Sequence, residues 1–179
     1  MNKNIVFIGI ILSVLLLFGC TQSTTATGGS ISVTPTGEKV WAEDACEYFS
    51  LSMVNGVVSK DVIYDTYGSK YVDTTMSCAY IENIDKGKII AFFMMLSKDY
   101  PADTVSIQAD AAINEGGEET TGVGEKAWFK KRSTSDESAS LGFYAKGVLA
   151  SVKVNDGVSY EDNKTKVVQL ANAIIAKLP

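Results

Sequence analysis

The sequence predicts an α+β fold, in which an antiparallel sheet carries helices packed on it. In residues 148–154, Val148, Ala150, Val152 and Val154 alternate with Leu149, Ser151 and Lys153, which is typical of a half-buried antiparallel strand. Residues 160–177 place apolar side chains at helical spacing. One stripe of this last predicted helix contains Val167, Ala171, Ile174 and Leu178. The order along the chain is helix, strands, helix, strands, helix, which indicates an α+β domain.

The first predicted elements are a helix, a strand and a hairpin turn. Residues 42–58 place apolar side chains close to helical spacing, and two acidic residues lie in the first turn, where they are favourable. Residues 70–81 predict a strand. The polar segment 83–88 contains an Asp-Lys-Gly sequence, which suits a turn between two strands.

Residues 89–96 form the most apolar segment outside the N-terminus. Because this segment does not alternate, it predicts a central strand that is covered on both faces. The alternative is a strand with one face open as a hydrophobic binding groove, since methionine and phenylalanine supply adaptable contacts. In that alternative the ligand surface contains Phe92, Phe93, Met94 and Met95.

The second half of the domain predicts a helix, three strands and the final helix. Residues 103–114 predict the helix, and the Gly-rich acidic segment 114–119 ends it. The predicted strands are residues 127–131, 141–145 and 148–154.

A glycine pattern precedes the first of these strands. The spacing Gly122-x-Gly124-x-x-Ala127 superficially fits a dinucleotide-binding fingerprint. That fingerprint follows a strand and opens a helix, whereas strand-like sequence follows it here. A turn that leads into a strand is therefore the better interpretation.

The N-terminus predicts an export signal and a lipid anchor. An apolar stretch of about 14 residues follows a short segment with one lysine, which matches a signal peptide and is too short for a spanning helix of about 20 residues. The sequence Leu17-Phe18-Gly19-Cys20 closes the stretch and resembles the lipobox of bacterial and archaeal lipoproteins. The resemblance implies cleavage before Cys20 and a lipid on its thiol. An uncleaved anchor, or an ordinary signal peptide with an incidental cysteine, is the alternative.

The predicted organisation has three parts: a signal peptide at 1–19, lipidated Cys20 with a flexible Ser/Thr/Gly linker at 20–38, and one globular domain at 39–179. The formal net charge is −5, and it becomes −6 when cleavage removes the one lysine and no acid of residues 1–19. An acidic domain disfavours nucleic acid as a partner. The expected anchorage is a membrane outside the cytoplasm, through the lipid on Cys20.

Two cysteines remain once Cys20 is assigned to the lipid. Exported domains reach oxidising surroundings, so Cys46 and Cys78 predict a disulfide. The alternative is a metal site, but two thiolates do not complete a tetrahedral site and the chain has no histidine. We expect neither a metal nor another cofactor.

Few side chains suggest catalysis. The lack of histidine excludes the usual Ser-His-Asp and Cys-His arrangements. Glu115, Glu118 and Glu119 could act as acid and base in glycoside cleavage or supply oxygen ligands to calcium. A solvated loop explains this acidic cluster more simply.

A glycosylation sequon lies near the start of the last predicted helix. Asn163 is followed by lysine and threonine, which satisfies the sequon. Capping of the helix by Asp162 or Asn163 explains the same residues equally well.

Three short motifs resemble a group of small envelope lipoproteins of unknown function, best known from actinobacteria. The motifs are Asp44-Ala45-Cys46, Cys78-Ala79-Tyr80 and the segment from Gly122 to Trp128. The chain departs from the group's pattern with Ala45 for proline, Tyr80 for tryptophan and Lys126 for an acid. The resemblance implies the disulfide and the α+β fold, and no activity.

The leading functional hypothesis is a noncatalytic lipoprotein domain that binds an envelope protein or a small ligand. It depends on the predicted tether, the acidic compact domain and the lack of a catalytic constellation in the sequence. The alternatives are a carboxylate-based envelope enzyme and a purely structural envelope protein.

Overall fold

The computed structural model describes residues 41–65, 71–72, 75–131 and 137–179. The predicted signal peptide, Cys20 and the linker up to residue 38 lie outside the described residues. The described part begins with Trp41.

Within the described residues, eight strands form one antiparallel sheet. Its order is β1-β3-β4-β8-β7-β6-β5, and β2 pairs with β3 as well. The strands are β1 (Val62–Tyr64), β2 (Tyr71–Val72), β3 (Thr75–Glu82), β4 (Ile89–Ser97), β5 (Glu118–Thr120), β6 (Lys126–Phe129), β7 (Ala139–Ala145) and β8 (Val148–Val154).

The same residues form four α-helices, and a single 3₁₀ turn at Ala102–Thr104 precedes the third. The helices are α1 (Ala45–Tyr48), α2 (Leu51–Asn55), α3 (Val105–Asn114) and α4 (Tyr160–Lys177). The α+β fold with an antiparallel sheet is therefore confirmed.

The predicted helix at 42–58 is broken into α1 and α2. Phe49 leaves the helical conformation, and Ser50 is extended before α2 begins. The break frees the carbonyl oxygen of Phe49, which accepts a hydrogen bond of 2.8 Å from the Tyr80 hydroxyl. Burial, together with the nearby Tyr64 and Asp44, raises the pKa of Tyr80 to about 12. The buried hydrogen bond from Tyr80 is thus favoured over a continuous helix, although the apolar spacing of residues 42–58 predicts one.

The two sides of the sheet carry different sets of helices. We call the side packed against α1, α2 and α4 the covered face; its strand side chains include Phe93, Met95, Leu141, Phe143 and Val152. Successive residues of a strand point to opposite sides, so their neighbours form the other side. We call this side the cleft face; its side chains include Phe92, Met94, Trp128, Tyr144 and Leu149. Helix α3 packs on the cleft face.

A disulfide joins α1 to β3 on the covered face. Cys46 and Cys78 are bonded with an S–S distance of 2.09 Å and a Cα–Cα distance of 5.2 Å, which confirms the predicted pair. The loop it closes spans 32 residues in sequence, so the bond stabilises the fold by about 3–4 kcal/mol in the chain-entropy model.

A buried carboxylate ties the start of α4 to the segment after α2. Asp156 is only 1% exposed and forms an ion pair with Lys166. It also accepts hydrogen bonds from the Ser59 amide at 2.6 Å, the Ser59 hydroxyl at 2.8 Å and the Lys60 amide at 3.0 Å. Burial disfavours its charged form, but the hydrogen bonds from Lys166 and Ser59 outweigh burial and hold the pKa of Asp156 below its usual value.

Ser159 caps helix α4. Its hydroxyl accepts a hydrogen bond from the Asp162 amide at 3.2 Å, so the predicted capping by Asp162 or Asn163 is wrong. The Asn163 side chain is fully buried, and its amide donates to the carbonyl oxygens of Glu137 and Val158. The folded protein therefore does not expose this sequon asparagine to a glycosylating enzyme.

Candidate functional site

Helix α3 is fixed over one end of the cleft face. The chain that leads into it is held at Tyr100, whose amide donates to the Gly147 carbonyl at 2.7 Å. The Tyr144 hydroxyl donates to the Tyr100 carbonyl at 3.3 Å. One turn apart on the helix, Val105 and Ala109 are buried against β6, β7 and β8. These contacts hold the helix at a fixed place above the sheet.

A tryptophan lies flat on a glycine beneath this helix. Trp128 of β6 and Gly142 of β7 are register partners. A Cβ atom added to Gly142 would lie 2.7–2.9 Å from the Trp128 ring, closer than side chains tolerate. Glycine is therefore needed here because the indole occupies the space of a side chain.

A cleft of about 230 Å³ opens between α3 and this part of the sheet. Helix α3 supplies one wall and the strands supply the floor. The wall includes Gln108, Ala111 and Ala112, and the floor includes Trp128, Gly142, Leu149 and Ser151. Pockets for drug-sized ligands measure roughly 300–1,000 Å³, so this cleft suits a smaller molecule or one side chain of a partner.

Charged side chains stand at the mouth of the cleft. Lys130 and Lys131 follow β6, and Glu115 follows α3. The aliphatic stem of Lys131 lies on Gly116, where an added Cβ would be 3.4 Å from the Lys131 Cδ atom. The cleft therefore combines an apolar floor with a charged rim.

The structure divides the predicted ligand surface between the two faces. Phe93 and Met95 are fully buried in the core of the covered face, so the prediction that they contact a ligand is wrong. Phe92 and Met94 are half-buried on the cleft face. Met94 pairs with Ser151, which lines the cleft. The cleft itself reaches β4 only at Leu96 and is lined by neither Phe92 nor Met94.

The three glutamates proposed for catalysis do not converge. Glu118 and Glu119 are successive residues of β5 and point to opposite sides of the sheet. Glu118 forms an ion pair with Lys164 of α4, and Glu119 forms one with Lys126 at 3.2 Å. Glu115 follows the last residue of α3 and lines the cleft. The described residues contain no group of three acidic or cysteine side chains that could hold a metal ion.

Lys164 is the partner that fixes the position of Glu118. Its ammonium group lies 4.5 Å from the centre of the Phe129 ring. The hydrogen bond to Glu118 raises the pKa of Lys164, although burial acts in the opposite direction. Glu118 therefore forms an exposed ion pair between β5 and α4.

Sequence reasoning missed the floor of the cleft. Gly142 inside a predicted strand was the available signal, because glycine within a strand often marks the close approach of another group. Leu149 and Ser151 belong to the predicted alternating strand at 148–154, but nothing in the sequence placed α3 above them.

Comparisons with protein-family models, curated proteins and solved structures give no match to this chain. No helix in the described part of the chain combines the length and apolar character needed to cross a bilayer.

Proposed function

We propose that this protein is a noncatalytic, extracytoplasmic lipoprotein whose domain binds a small ligand or an envelope protein at the cleft beneath α3. The observation that carries the proposal is the cleft itself, in which Trp128 and Leu149 form an apolar floor and Lys130, Lys131 and Glu115 form a charged rim. Binding sites commonly combine apolar walls with a few polar groups that orient the ligand.

The proposed anchor is a lipid on Cys20. A signal-like segment precedes this cysteine and a polar, low-complexity linker follows it. One short acyl chain binds a membrane only marginally, so a stable tether requires a lipid with at least two chains. Such a tether would leave the domain outside the cytoplasm, where the disulfide between Cys46 and Cys78 persists.

We also propose membership of the small actinobacterial-type envelope lipoproteins that the three motifs resemble. Two of these motifs carry Cys46 and Cys78, which form the disulfide. The third motif is a turn that leads into β6, and its last residue is Trp128.

Native mass spectrometry of the lipidated protein, gently extracted from its own membranes, tests the proposal. We expect an additional mass on the wild-type protein and its loss in an Ala111→Trp variant, because Ala111 lines the cleft and the larger ring fills it. Ser106→Trp is the matched control, since Ser106 is exposed on the same helix and does not line the cleft. A bare lipidated monomer in all three proteins would contradict the proposal.

A further inference from the structure

The rim of the cleft carries uncompensated positive charge in an acidic protein. Lys130 and Lys131 line the cleft together with one carboxylate, that of Glu115. In the described part of the chain, none of these three side chains forms an ion pair. Two ammonium groups and one carboxylate leave one net positive charge at the mouth, which complements a singly charged anion.

The floor of the cleft offers hydrogen-bond donors as well as apolar surface. The Trp128 indole forms no hydrogen bond to another described residue. In the described part of the protein, every fully buried side-chain nitrogen or oxygen has a hydrogen-bond partner. The Trp128 indole nitrogen has none, so it is not fully buried. Two polar residues, Ser151 on the floor and Gln108 on the helical wall, line the same cleft. An indole N–H only donates hydrogen bonds, so an acceptor-rich group suits this floor.

We propose that the cleft binds a small amphiphilic monocarboxylate. Its apolar body would lie on Trp128 and Leu149, and its carboxylate would reach Lys130 and Lys131. The volume of about 230 Å³ limits the body to a single ring or a short aliphatic chain. This inference rests on the proposed function, because it names the ligand class of the same site.

Three ring compounds of matched shape test the ligand class. They are phenylacetate, the uncharged 2-phenylethanol and the cationic 2-phenylethylammonium. The chain has two tryptophans, so Trp128 emission can be followed alone in full-length lipidated Trp41→Phe protein in dodecyl maltoside micelles. We expect a saturable change with phenylacetate and binding about ten-fold weaker for the alcohol, because the charge-assisted contact is absent.

Charge-removal variants test the role of the two lysines. Lys130→Gln with Lys131→Gln should weaken phenylacetate binding about ten-fold and leave binding of the alcohol unchanged. Lys86→Gln with Lys88→Gln is the control, since these lysines lie in the β3–β4 hairpin, far along β4 from Leu96 at the cleft. Equal binding of acid and alcohol, tightest binding of the cation, or no saturable change with any probe would overturn the proposal.

The native extraction experiment separates this inference from the proposed function. If phenylacetate does not bind but Ala111→Trp still removes a co-extracted mass, the ligand class is wrong and the binding function stands. If phenylacetate binds as expected but no mass accompanies the protein from its membranes, the ligand chemistry of the cleft stands and the proposed function fails.

Discussion

The two faces of the sheet differ in how completely they are covered. On the covered face, α1, α2 and α4 bury the strand side chains, and Phe93, Met95, Leu141 and Phe143 are fully inaccessible. On the cleft face, α3 covers only one end of the sheet, and Phe92 and Met94 remain half-buried. Successive residues of β4 from Phe92 to Met95 therefore alternate between the fully buried core of the covered face and the partly exposed cleft face.

The features that stabilise the fold and those that support the proposed binding lie on different faces. The disulfide and the Asp156 network both fasten elements of the covered face. The unpaired lysines and the open indole N–H both belong to the cleft face. Substitutions on the covered face should therefore unfold the protein, whereas substitutions on the cleft face should alter binding first.

The largest difference in unfolding free energy is expected between variants of Phe93 and Phe92. Phe93→Ala removes a fully buried ring and should lower the free energy of unfolding by about 3–5 kcal/mol. Phe92→Ala removes a half-buried ring and should cost about 1 kcal/mol. Chemical denaturation of the two variants measures both values. Equal losses of unfolding free energy in the two variants would show that the two faces are buried to the same extent.

Removal of the disulfide should have the next largest effect. Cys46→Ala with Cys78→Ala should lower the free energy of unfolding by about 3–4 kcal/mol, because the unfolded chain regains the freedom of the closed loop. The phenylacetate response of the remaining folded fraction should stay unchanged, since both cysteines lie on the covered face. A variant as stable as the wild type, in the same denaturant titration, would contradict this assignment.

Asp156 should make stability depend on pH. Asp156→Asn leaves Lys166 without its anion and should cost about 1.5–3 kcal/mol at neutral pH. The folded pKa of Asp156 lies below the unfolded value of about 3.9, so its contribution is fully present above about pH 4 and is lost as pH falls through the folded value.

The difference in unfolding free energy between wild type and Asp156→Asn should therefore shrink below about pH 4. Asp110→Asn, at an exposed position of α3, is the control. A difference that stays constant between pH 7 and pH 2 would show that the ionised carboxylate does not stabilise the folded state.

The smallest of these effects is expected at Gly142. Gly142→Ala places a Cβ atom within 2.7–2.9 Å of the Trp128 ring, so the ring must move at a cost of about 1–3 kcal/mol. We expect a shifted Trp128 emission and weaker phenylacetate binding in the Trp41→Phe background. Ser140→Ala, two residues earlier in the same strand, should leave the emission unchanged. An unaltered emission in Gly142→Ala would show that the indole does not lie on this glycine.

The sequence predicted regular elements well where one periodic pattern covered the whole element. Strand β8 and helix α4 have the predicted bounds, because each has one apolar and one polar side. The helix at 42–58 was predicted as one element, since nothing local reveals the hydrogen bond from Tyr80 that breaks it at Phe49. The short edge strands β1 and β5 were not predicted, because three residues carry too little pattern.

The candidate site was predictable only in part. The segment 89–96 is apolar on both sides, so its alternation is hidden and the sequence could not assign Phe92 and Phe93 to different faces. Glu118 and Glu119 looked like loop residues because β5 has only three residues and directly follows two glycines. The cleft itself depends on where α3 lies, which is a tertiary contact.

Oxidation of two adjacent methionines tests the distinction between the faces most directly. Met94 lies half-buried on the cleft face, and Met95 is fully buried on the covered face. We would treat the folded protein with dilute hydrogen peroxide and follow sulfoxide formation at each residue by peptide mapping, with denatured protein as the reference. We predict that Met94 oxidises much faster than Met95 in the folded protein and at a similar rate in the denatured one. Equal rates in the folded protein, or faster oxidation of Met95, would contradict the account.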